Sequence, residues 1–155
     1  MQVIKQNSID KAILQSLSQS DTKLLGICLG MQLMLENSQE LENCSGLNLV
    51  PGTVEPLIEK VKSNRLPHMG WNEAIFKAES PLTAGLNAQG EPFYFVHSYR
   101  VVQTDPALVW CETDYAGRFV SGVRRGRVLA TQFHPEKSQV KGLQLYRNFL
   151  TLADR

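Results

Sequence analysis

A cysteine between two glycines, in the run GICLGMQ (26–32), constrains the fold of this chain more than any other feature. The apolar run Thr22 to Ile27 before it predicts a buried strand, and Met31 to Glu36 after it predicts a helix. Gly26 and Gly30 supply the small side chains that a sharp strand-to-helix turn requires. The pattern predicts a nucleophile elbow in which the helix N-terminus favours the Cys28 thiolate. The alternative is a small buried cysteine, which is how most free cysteines behave.

A second motif, TQFHPE (131–136), offers a base and a group to orient it. His134 follows the apolar strand predicted over Arg127 to Phe133, and Glu136 comes two residues later, past a proline that enforces extended geometry. Alternate residues of an extended segment point the same way, so the carboxylate is expected beside the imidazole. A structural salt bridge is the alternative. Because a cysteine elbow lies upstream, the catalytic interpretation is favoured, in which a nucleophile, a base and a carboxylate act together.

These two motifs resemble the signatures of the class I (triad) glutamine amidotransferases, in the family's order and spacing, from roughly residue 10 to the end of the chain. Two further segments, PHMGWN (67–72) and YFVHSY (94–99), are similar to the glutaminase subunit of imidazole glycerol phosphate synthase, an enzyme of histidine biosynthesis. The resemblance implies an α/β fold in which a mixed sheet is flanked by helices. It also implies hydrolysis of glutamine to glutamate and ammonia, which passes to a cyclase partner.

The resemblance assigns roles to particular residues. It implies that Cys28 is the nucleophile, His134 the general base and acid, and Glu136 the orienting carboxylate. The residues that match positions of glutamine recognition are Leu29, Gln32, Glu40, His97 and Ser98. Those that match the ammonia passage or the synthase interface are Trp71, Asn72, Tyr94 and Lys137. Without the resemblance, Gln32 and Glu40 are ordinary exposed helix residues, Trp71 and Tyr94 core aromatics, and Lys137 a surface charge.

The chain departs from the family pattern ahead of the nucleophile. Only 27 residues precede Cys28, and they contain no Pro-Gly-Val-Gly-like loop, which supplies an oxyanion donor in the family. The N–H of Leu29 is the donor that remains. We therefore expect an N-terminally truncated fold, with an exposed sheet edge and apolar surface that promote self-association. Two alternatives stay open: an impaired domain that only binds a partner or itself, and a glutaminase of another pathway.

Composition narrows the function classes. The chain has 155 residues, which predicts a single domain over 1–155, and a net charge of +1, which gives no basic footprint for nucleic acid. Three cysteines without CxxC spacing and three scattered histidines predict neither disulfides nor a metal or other cofactor. No apolar segment is long enough for a signal peptide or membrane span, so a cytoplasmic protein is expected.

The remaining sequence predicts helices at both ends and short strands between them. The first helix, Met1 to Ser18, is expected to present Ile9, Ile13 and Leu17 on one apolar face. The last helix, from about Gln139 to Ala153, is expected to do the same with Leu143, Tyr146 and Leu150. Strands are predicted over Phe93 to Val102, Ala107 to Thr113, Phe119 to Arg124 and Val128 to Phe133.

Overall fold

A computed structural model of the chain describes residues 1–19, 21–40, 43–57, 66–115 and 117–152. The α-helices of these residues are α1 (Gln2–Gln6), α2 (Ile9–Ser18), α3 (Leu29–Met34) and α4 (Gln139–Thr151). The strands are β1 (Leu24–Ile27), β2 (Asn37–Ser38), β3 (Cys44–Ser45), β4 (Thr53–Pro56), β5 (His68–Phe76), β6 (Glu91–His97), β7 (Tyr99–Val102), β8 (Val109–Asp114), β9 (Arg118–Arg125) and β10 (Val128–Thr131). Short 3₁₀ helices cover Pro81–Thr83, Pro106–Leu108 and Pro135–Lys137.

The strands form one mixed sheet. Its main path runs β3-β2-β4-β7-β9-β8-β5-β6, and β10 joins β9 to β1. The pairs β1–β10 and β2–β4 are parallel, whereas the other named pairs are antiparallel. In the parallel pair, Ile27 lies opposite Thr131, so both strands end at the same edge of the sheet. The chain segments that carry the two motifs therefore leave the sheet side by side.

Helices cover both faces of this sheet. Alternate residues of a strand point to opposite faces, and β10 divides accordingly: Leu129 joins one apolar cluster, while Val128 and Ala130 join the other. The cluster that contains Leu129 also includes Leu145 of α4, and the cluster that contains Val128 and Ala130 also includes Met31 of α3. Every residue of β10 is buried, as expected for a strand covered on both faces. The predicted α/β architecture, a mixed sheet flanked by helices, is confirmed.

Helix α4 turns a different face to the core from the one predicted. Its buried residues are Gly142, Leu145 and Asn148, whereas Leu143 and Leu150 are 55% and 73% exposed. The cause is a close approach to the preceding 3₁₀ helix, since a Cβ on Gly142 would lie 1.8 Å from the carbonyl oxygen of Pro135. That contact requires glycine and fixes the rotation of the helix. The predicted end of this helix, at Ala153, lies outside the described residues.

The N-terminal region forms two helices in place of the single predicted one. The break comes at Ser8, whose φ of 55° is left-handed and interrupts the helix after Gln6. Helix α2 has no fully buried residue. Its apolar side chains, including Ile13 and Leu17, line an open groove of about 400 Å³ together with Leu24 of β1. Among the described residues, β1 pairs only with β10, so its other edge carries no strand.

Several smaller expectations are modified by the structure. The strand predicted over 93–102 is divided at Ser98 into β6 and β7. The strand predicted up to Phe133 ends at Thr131. In the part of the chain that the structure describes, no helix is long and apolar enough to cross a membrane.

Candidate active site

Cys28 occupies a strained turn between β1 and α3. Its backbone has φ 49° and ψ −101°, a conformation that costs free energy for any residue other than glycine. Two backbone hydrogen bonds hold the turn: the Cys28 N–H donates to the Thr131 carbonyl at 2.8 Å, and the Gln32 N–H donates to the Cys28 carbonyl at 3.2 Å. The predicted nucleophile elbow is thus present in the backbone.

The two glycines of the elbow contribute unequally. A Cβ on Gly26 would lie 2.6 Å from the Cε of buried Met34 and 2.9 Å from the backbone of Gly30, so this position needs glycine. A Cβ on Gly30 would have no atom within 4 Å. The expectation that both glycines are sterically required is therefore correct for Gly26 and wrong for Gly30.

The Cys28 thiol is half-buried and has three polar neighbours. Its Sγ donates to the Val96 carbonyl at 3.7 Å and accepts from Nε2 of Gln132 at 3.5 Å. Burial raises the pKa of the thiol above its ordinary value, while the Leu29 N–H and the Gln132 amide lower it. The net direction of the pKa shift is upward, contrary to the expectation that the helix N-terminus favours the thiolate. Helix α3 has only six residues, and desolvation outweighs its contribution.

His134 and Glu136 form a close pair. The Nδ1–H of His134 donates to Oε1 of Glu136 at 2.5 Å, because an ionised carboxylate can only accept. Residues Pro135–Lys137 form a 3₁₀ turn, so the pair meets around this turn, and the prediction of an extended segment is wrong. With the proton on Nδ1, the other nitrogen of a neutral ring is an acceptor. That nitrogen, Nε2, is buried and has no hydrogen-bond partner among the described residues.

Strand β6 is bonded to both motifs of the site, through the Cys28 thiol and the His134 backbone. The backbone N–H of His134 donates to the Tyr94 carbonyl at 2.8 Å, and the Cys28 Sγ–H donates to the Val96 carbonyl. Carbonyls two residues apart in a strand point the same way and are separated by about 7 Å. Cys28 and His134 therefore approach the same edge of β6 as neighbours. The structure shows no hydrogen bond between Sγ and the imidazole, because His134 Nε2 has no partner among the described residues.

The residues expected to recognise glutamine fall on two sides of the elbow. Leu29, Gln32 and Glu40 line a cavity of about 150 Å³, and the Glu40 N–H donates to Ser38 Oγ. On the other side, His97 and Ser98 follow directly after Val96, which contacts the thiol. The Gln32 side chain is buried, and its Nε2 also donates to Oε1 of Gln132 at 3.2 Å.

A buried chain of hydrogen bonds joins His97 to His68 and Asn72. The Tyr99 carbonyl lies 2.8 Å from Nδ1 of His97 and can only accept, so Nδ1 carries the proton. His97 Nε2 then accepts from Nδ1 of His68 at 2.8 Å. His68 Nε2 in turn accepts from Nδ2 of Asn72 at 3.1 Å, and that amide also donates to the Asp114 carbonyl. Both imidazoles are therefore neutral, with the proton on Nδ1.

Burial accounts for the neutrality of the two rings. It lowers the pKa of His68 to about 3 and that of His97 to about 4, and the neighbouring imidazole adds to the effect on His68. His68 also stacks on Phe95 and Tyr115, with ring centroids 4.7 Å and 3.9 Å away. Because both ring nitrogens of His97 are bonded within the protein, this side chain has no free nitrogen to offer a ligand.

The residues expected at the ammonia passage or partner interface divide between two faces of β5. Trp71 is 51% exposed and meets the Tyr94 ring edge-on at 6.1 Å, and Lys137 Nζ lies 5.7 Å from the centre of the same ring. Asn72 points to the opposite face, where it bonds to His68. Met69, two residues before Trp71, is 61% exposed. Trp71, Tyr94 and Lys137 thus share a surface with Met69, and Asn72 does not.

The sequence did not reveal that Gln132 contacts the thiol or that His68 is bonded to His97. Neither residue's bonds are visible in the sequence, because Gln132 meets Cys28 across 104 positions and His68 meets His97 across 29. Gln132 did lie inside a motif already singled out, next to Thr131. No described cluster of three His, Cys, Asp or Glu side chains could hold a metal ion.

Comparison with known proteins identifies the family of the chain. Residues 5–153 match the family model described as glutamine amidotransferase class-I. The chain belongs to this family. A curated relative, imidazole glycerol phosphate synthase subunit HisH of Aquifex aeolicus, is 49% identical over 131 residues, which make up 84% of this chain and 61% of that protein. The subunit HisH 1 of Campylobacter jejuni is 40% identical over 152 residues, 98% of this chain and 74% of that protein.

Solved structures share the fold at low sequence identity. A crystal structure described as glutamine amidotransferase aligns with 96% of this chain and 70% of its own, with a TM-score of 0.68 and 18% identity. The structure of PurLQS from Thermotoga maritima aligns with 92% of this chain and 65% of its own, with a TM-score of 0.63 and 20% identity. The chain thus spans about three fifths of the length of curated relatives such as the Aquifex protein.

Proposed function

We propose that this chain hydrolyses glutamine to glutamate and ammonia as the glutaminase subunit of an imidazole glycerol phosphate synthase, in histidine biosynthesis. The observation that carries the proposal is the elbow cysteine beside a histidine whose Nδ1 is bonded to a carboxylate and whose Nε2 is free. The relatives that support the specific pathway are subunits of that synthase by name, at 40–49% identity. The PHMGWN segment favours the same subfamily.

The proposed reaction begins from a neutral thiol, in line with its raised pKa. His134 Nε2 accepts the Cys28 proton as the sulfur attacks the side-chain amide carbon of glutamine. The C–N bond then breaks, His134 returns the proton to the departing nitrogen as ammonia, and a thioester remains. Water deprotonated by His134 attacks the thioester and releases glutamate and the thiol. Glu136 stabilises the imidazolium in both steps, and the Leu29 N–H supports the developing oxyanion.

Substrate recognition is proposed to use both sides of the elbow. Glu40, at the cavity with Leu29 and Gln32, has a carboxylate suited to the α-ammonium group of glutamine. The backbone of His97 and Ser98 would contact the substrate from the side of Val96. Loss of one oxyanion donor typically lowers the rate by about 10²–10³-fold, so the Leu29 N–H is expected to be important.

We further propose that a cyclase subunit binds the surface formed by Met69, Trp71, Tyr94 and Lys137 and receives the ammonia there. Exposed tryptophan and tyrosine side chains are enriched at the centres of protein interfaces. Self-association is proposed to use a different surface, the groove of α2 and the free edge of β1. The three cysteines are free, which is typical of a reducing compartment and supports a cytoplasmic location.

The test is covalent labelling by a diazo-ketone analogue of glutamine, followed by intact-mass analysis and mapping of the adduct. We expect one adduct, at Cys28, which is absent from Cys28→Ala and retained in Cys111→Ala, because Cys111 is fully buried away from solvent. Addition of a cyclase subunit is expected to accelerate labelling. No adduct from folded protein in either condition would refute the proposal and favour the alternative of a domain that only binds.

A further inference from the structure

The Gln132 side chain is a fully buried amide held at both ends. Its Nε2 donates to Cys28 Sγ at 3.5 Å, and its Oε1 accepts from Nε2 of Gln32 at 3.2 Å. Its backbone N–H donates to the Ser121 carbonyl at 2.9 Å, which anchors the residue to β9. A buried amide normally has its hydrogen-bonding groups paired, and here one partner is the reactive sulfur.

Gln32 contacts the end of the Gln132 amide that lies away from the thiol. Because Gln32 presents an N–H to Oε1, the NH₂ end is directed at Cys28. Gln32 is itself fixed on α3, the helix that begins directly after the nucleophile. The relay Gln32–Gln132–Cys28 thus connects both motifs of the site through side chains.

The two hydrogen bonds of the sulfur act in opposite directions during ionisation. The Val96 carbonyl accepts the S–H, so it stabilises the thiol and repels a thiolate. The Gln132 N–H donates to the sulfur, and such a bond strengthens when the acceptor becomes charged. The Leu29 N–H is the other neutral donor near the sulfur, but it is needed for the oxyanion once a substrate carbonyl is attacked. Gln132 is then the donor that remains with the sulfur.

We infer that Gln132 is a positioning residue for the nucleophile: its amide N–H holds Cys28 Sγ and stabilises the thiolate, and Gln32 fixes the orientation of that amide. The inference rests on the proposed role of Cys28 in glutamine hydrolysis, which it deepens. It predicts that loss of the amide changes the ionisation of the thiol directly, with or without a substrate.

The test is the pH dependence of Cys28 alkylation by iodoacetamide in a Cys44→Ser background. Cys44 is exposed and would also react, whereas Cys111 is fully buried. Gln132→Met removes the N–H donors at similar side-chain length, and we expect the midpoint of the alkylation rate to rise by about one pH unit, a tenfold change in the ionisation constant. Gln32→Met keeps the donor but frees its orientation, so a smaller rise is expected.

Asn148→Leu is the matched control, because Asn148 is a buried amide that donates to the carbonyls of Leu82 and Ala84 on α4's side of the sheet. It is expected to lower thermal stability and leave the midpoint unchanged. An unchanged midpoint in both folded glutamine variants, or an equal rise in Asn148→Leu, overturns the inference. Should Gln132→Met fail to fold by circular dichroism, the midpoint of Gln32→Met decides.

Glutamine hydrolysis by the parent protein separates this inference from the proposed function. A parent that does not hydrolyse glutamine, together with a raised midpoint in Gln132→Met, would refute the proposed function and support the role of Gln132. A parent that hydrolyses glutamine, together with unchanged midpoints, would refute the role of Gln132 alone.

Discussion

At the scale of single residues, the site is defined by hydrogen bonds that fix proton positions. His134 keeps its Nδ1 proton because Glu136 accepts it, and His97 keeps its own because the Tyr99 carbonyl accepts it. The first pair has an exposed carboxylate, and the Nε2 of its ring has no hydrogen-bond partner among the described residues. The Nε2 of His97, in contrast, accepts a hydrogen bond from His68. A second proton could be added to the His97 ring only if this bond broke. The two histidines are thereby suited to catalysis and to structural support, respectively.

The buried histidines predict a dependence of stability on pH. Their pKa values are near 3 and 4 when folded and about 6.5 when unfolded, so the unfolded state binds more protons between pH 6.5 and 4. Stability is therefore full above pH 6.5 and is lost as the pH falls. We expect a slope approaching about 1.4 kcal/mol per pH unit for each histidine.

Urea unfolding at pH 7, 6 and 5 measures this slope. The window stays above the usual pKa of carboxylic acids, so their protonation contributes little. His68→Gln is expected to be less stable at pH 7 and to show a smaller slope, since one titrating group has been removed. A parent protein equally stable at pH 7 and pH 5 would contradict the lowered pKa values and the neutral state assigned to the two rings.

Sequence alone identified the residues of the two motifs but not their supporting bonds. Cys28, His134 and Glu136 are recognisable because each stands in a short pattern with its own chemistry. The contact of Gln132 with Cys28 and the pairing of His68 with His97 depend on how distant strands are brought together. The direction of the Cys28 pKa was also inaccessible, because it depends on the depth of burial.

At the scale of secondary structure, the buried face of a helix can depend on a close backbone contact that the spacing of apolar residues does not reveal. The strand, elbow and helix around Cys28 were predictable from apolar runs and glycines. The buried face of α4 was not, since its apolar residues Leu143 and Leu150 form a regular stripe that remains exposed. The helix instead packs through Gly142, where its backbone approaches Pro135.

The elbow predicts opposite effects for its two glycines. Gly26→Ala would place a Cβ 2.6 Å from Met34 and 2.9 Å from the Gly30 backbone, so a loss of about 1–3 kcal/mol in unfolding free energy is expected. Gly30→Ala meets no atom within 4 Å and replaces a helical glycine, so a gain of about 0.5–1 kcal/mol is expected. Urea denaturation of both variants measures the difference, and equal losses would contradict the steric assignment.

At the scale of the whole molecule, the described residues present two apolar surfaces besides the exposed stripe of α4. One contains Met69 and Trp71 on β5, next to Tyr94 and Lys137. The other is the groove between α2 and β1, beside a strand edge that no described strand covers. The mixed sheet flanked by helices could be predicted, and the family resemblance pointed to Trp71, Tyr94 and Lys137, but the place of the groove could not be predicted. Helix α2 is amphipathic in sequence, and only the structure places its apolar side along an open groove.

The surface around Trp71 predicts a localised contribution to partner binding. Trp71→Ala is expected to weaken binding of a cyclase subunit at least tenfold, about 1.4 kcal/mol, because exposed tryptophans at interface centres carry much of the binding energy. Leu150→Ala removes another exposed apolar side chain, on α4, and is expected to leave the affinity unchanged. Isothermal titration calorimetry measures both, and equal affinities for the two variants would place the interface elsewhere.

The groove and the free edge of β1 predict that the chain associates with itself. An uncovered strand edge offers unpaired backbone groups, and the adjoining groove of about 400 Å³ offers apolar surface. A second copy of the chain can pair with the edge and cover the groove. Light scattering is expected to give a mass that rises with concentration in the micromolar range. Ile13→Glu places a charge in the groove and is expected to restore the monomer, whereas Leu150→Glu, on the exposed face of α4, is not. A parent protein that remains monomeric throughout this range would contradict self-association through the groove and the edge of β1.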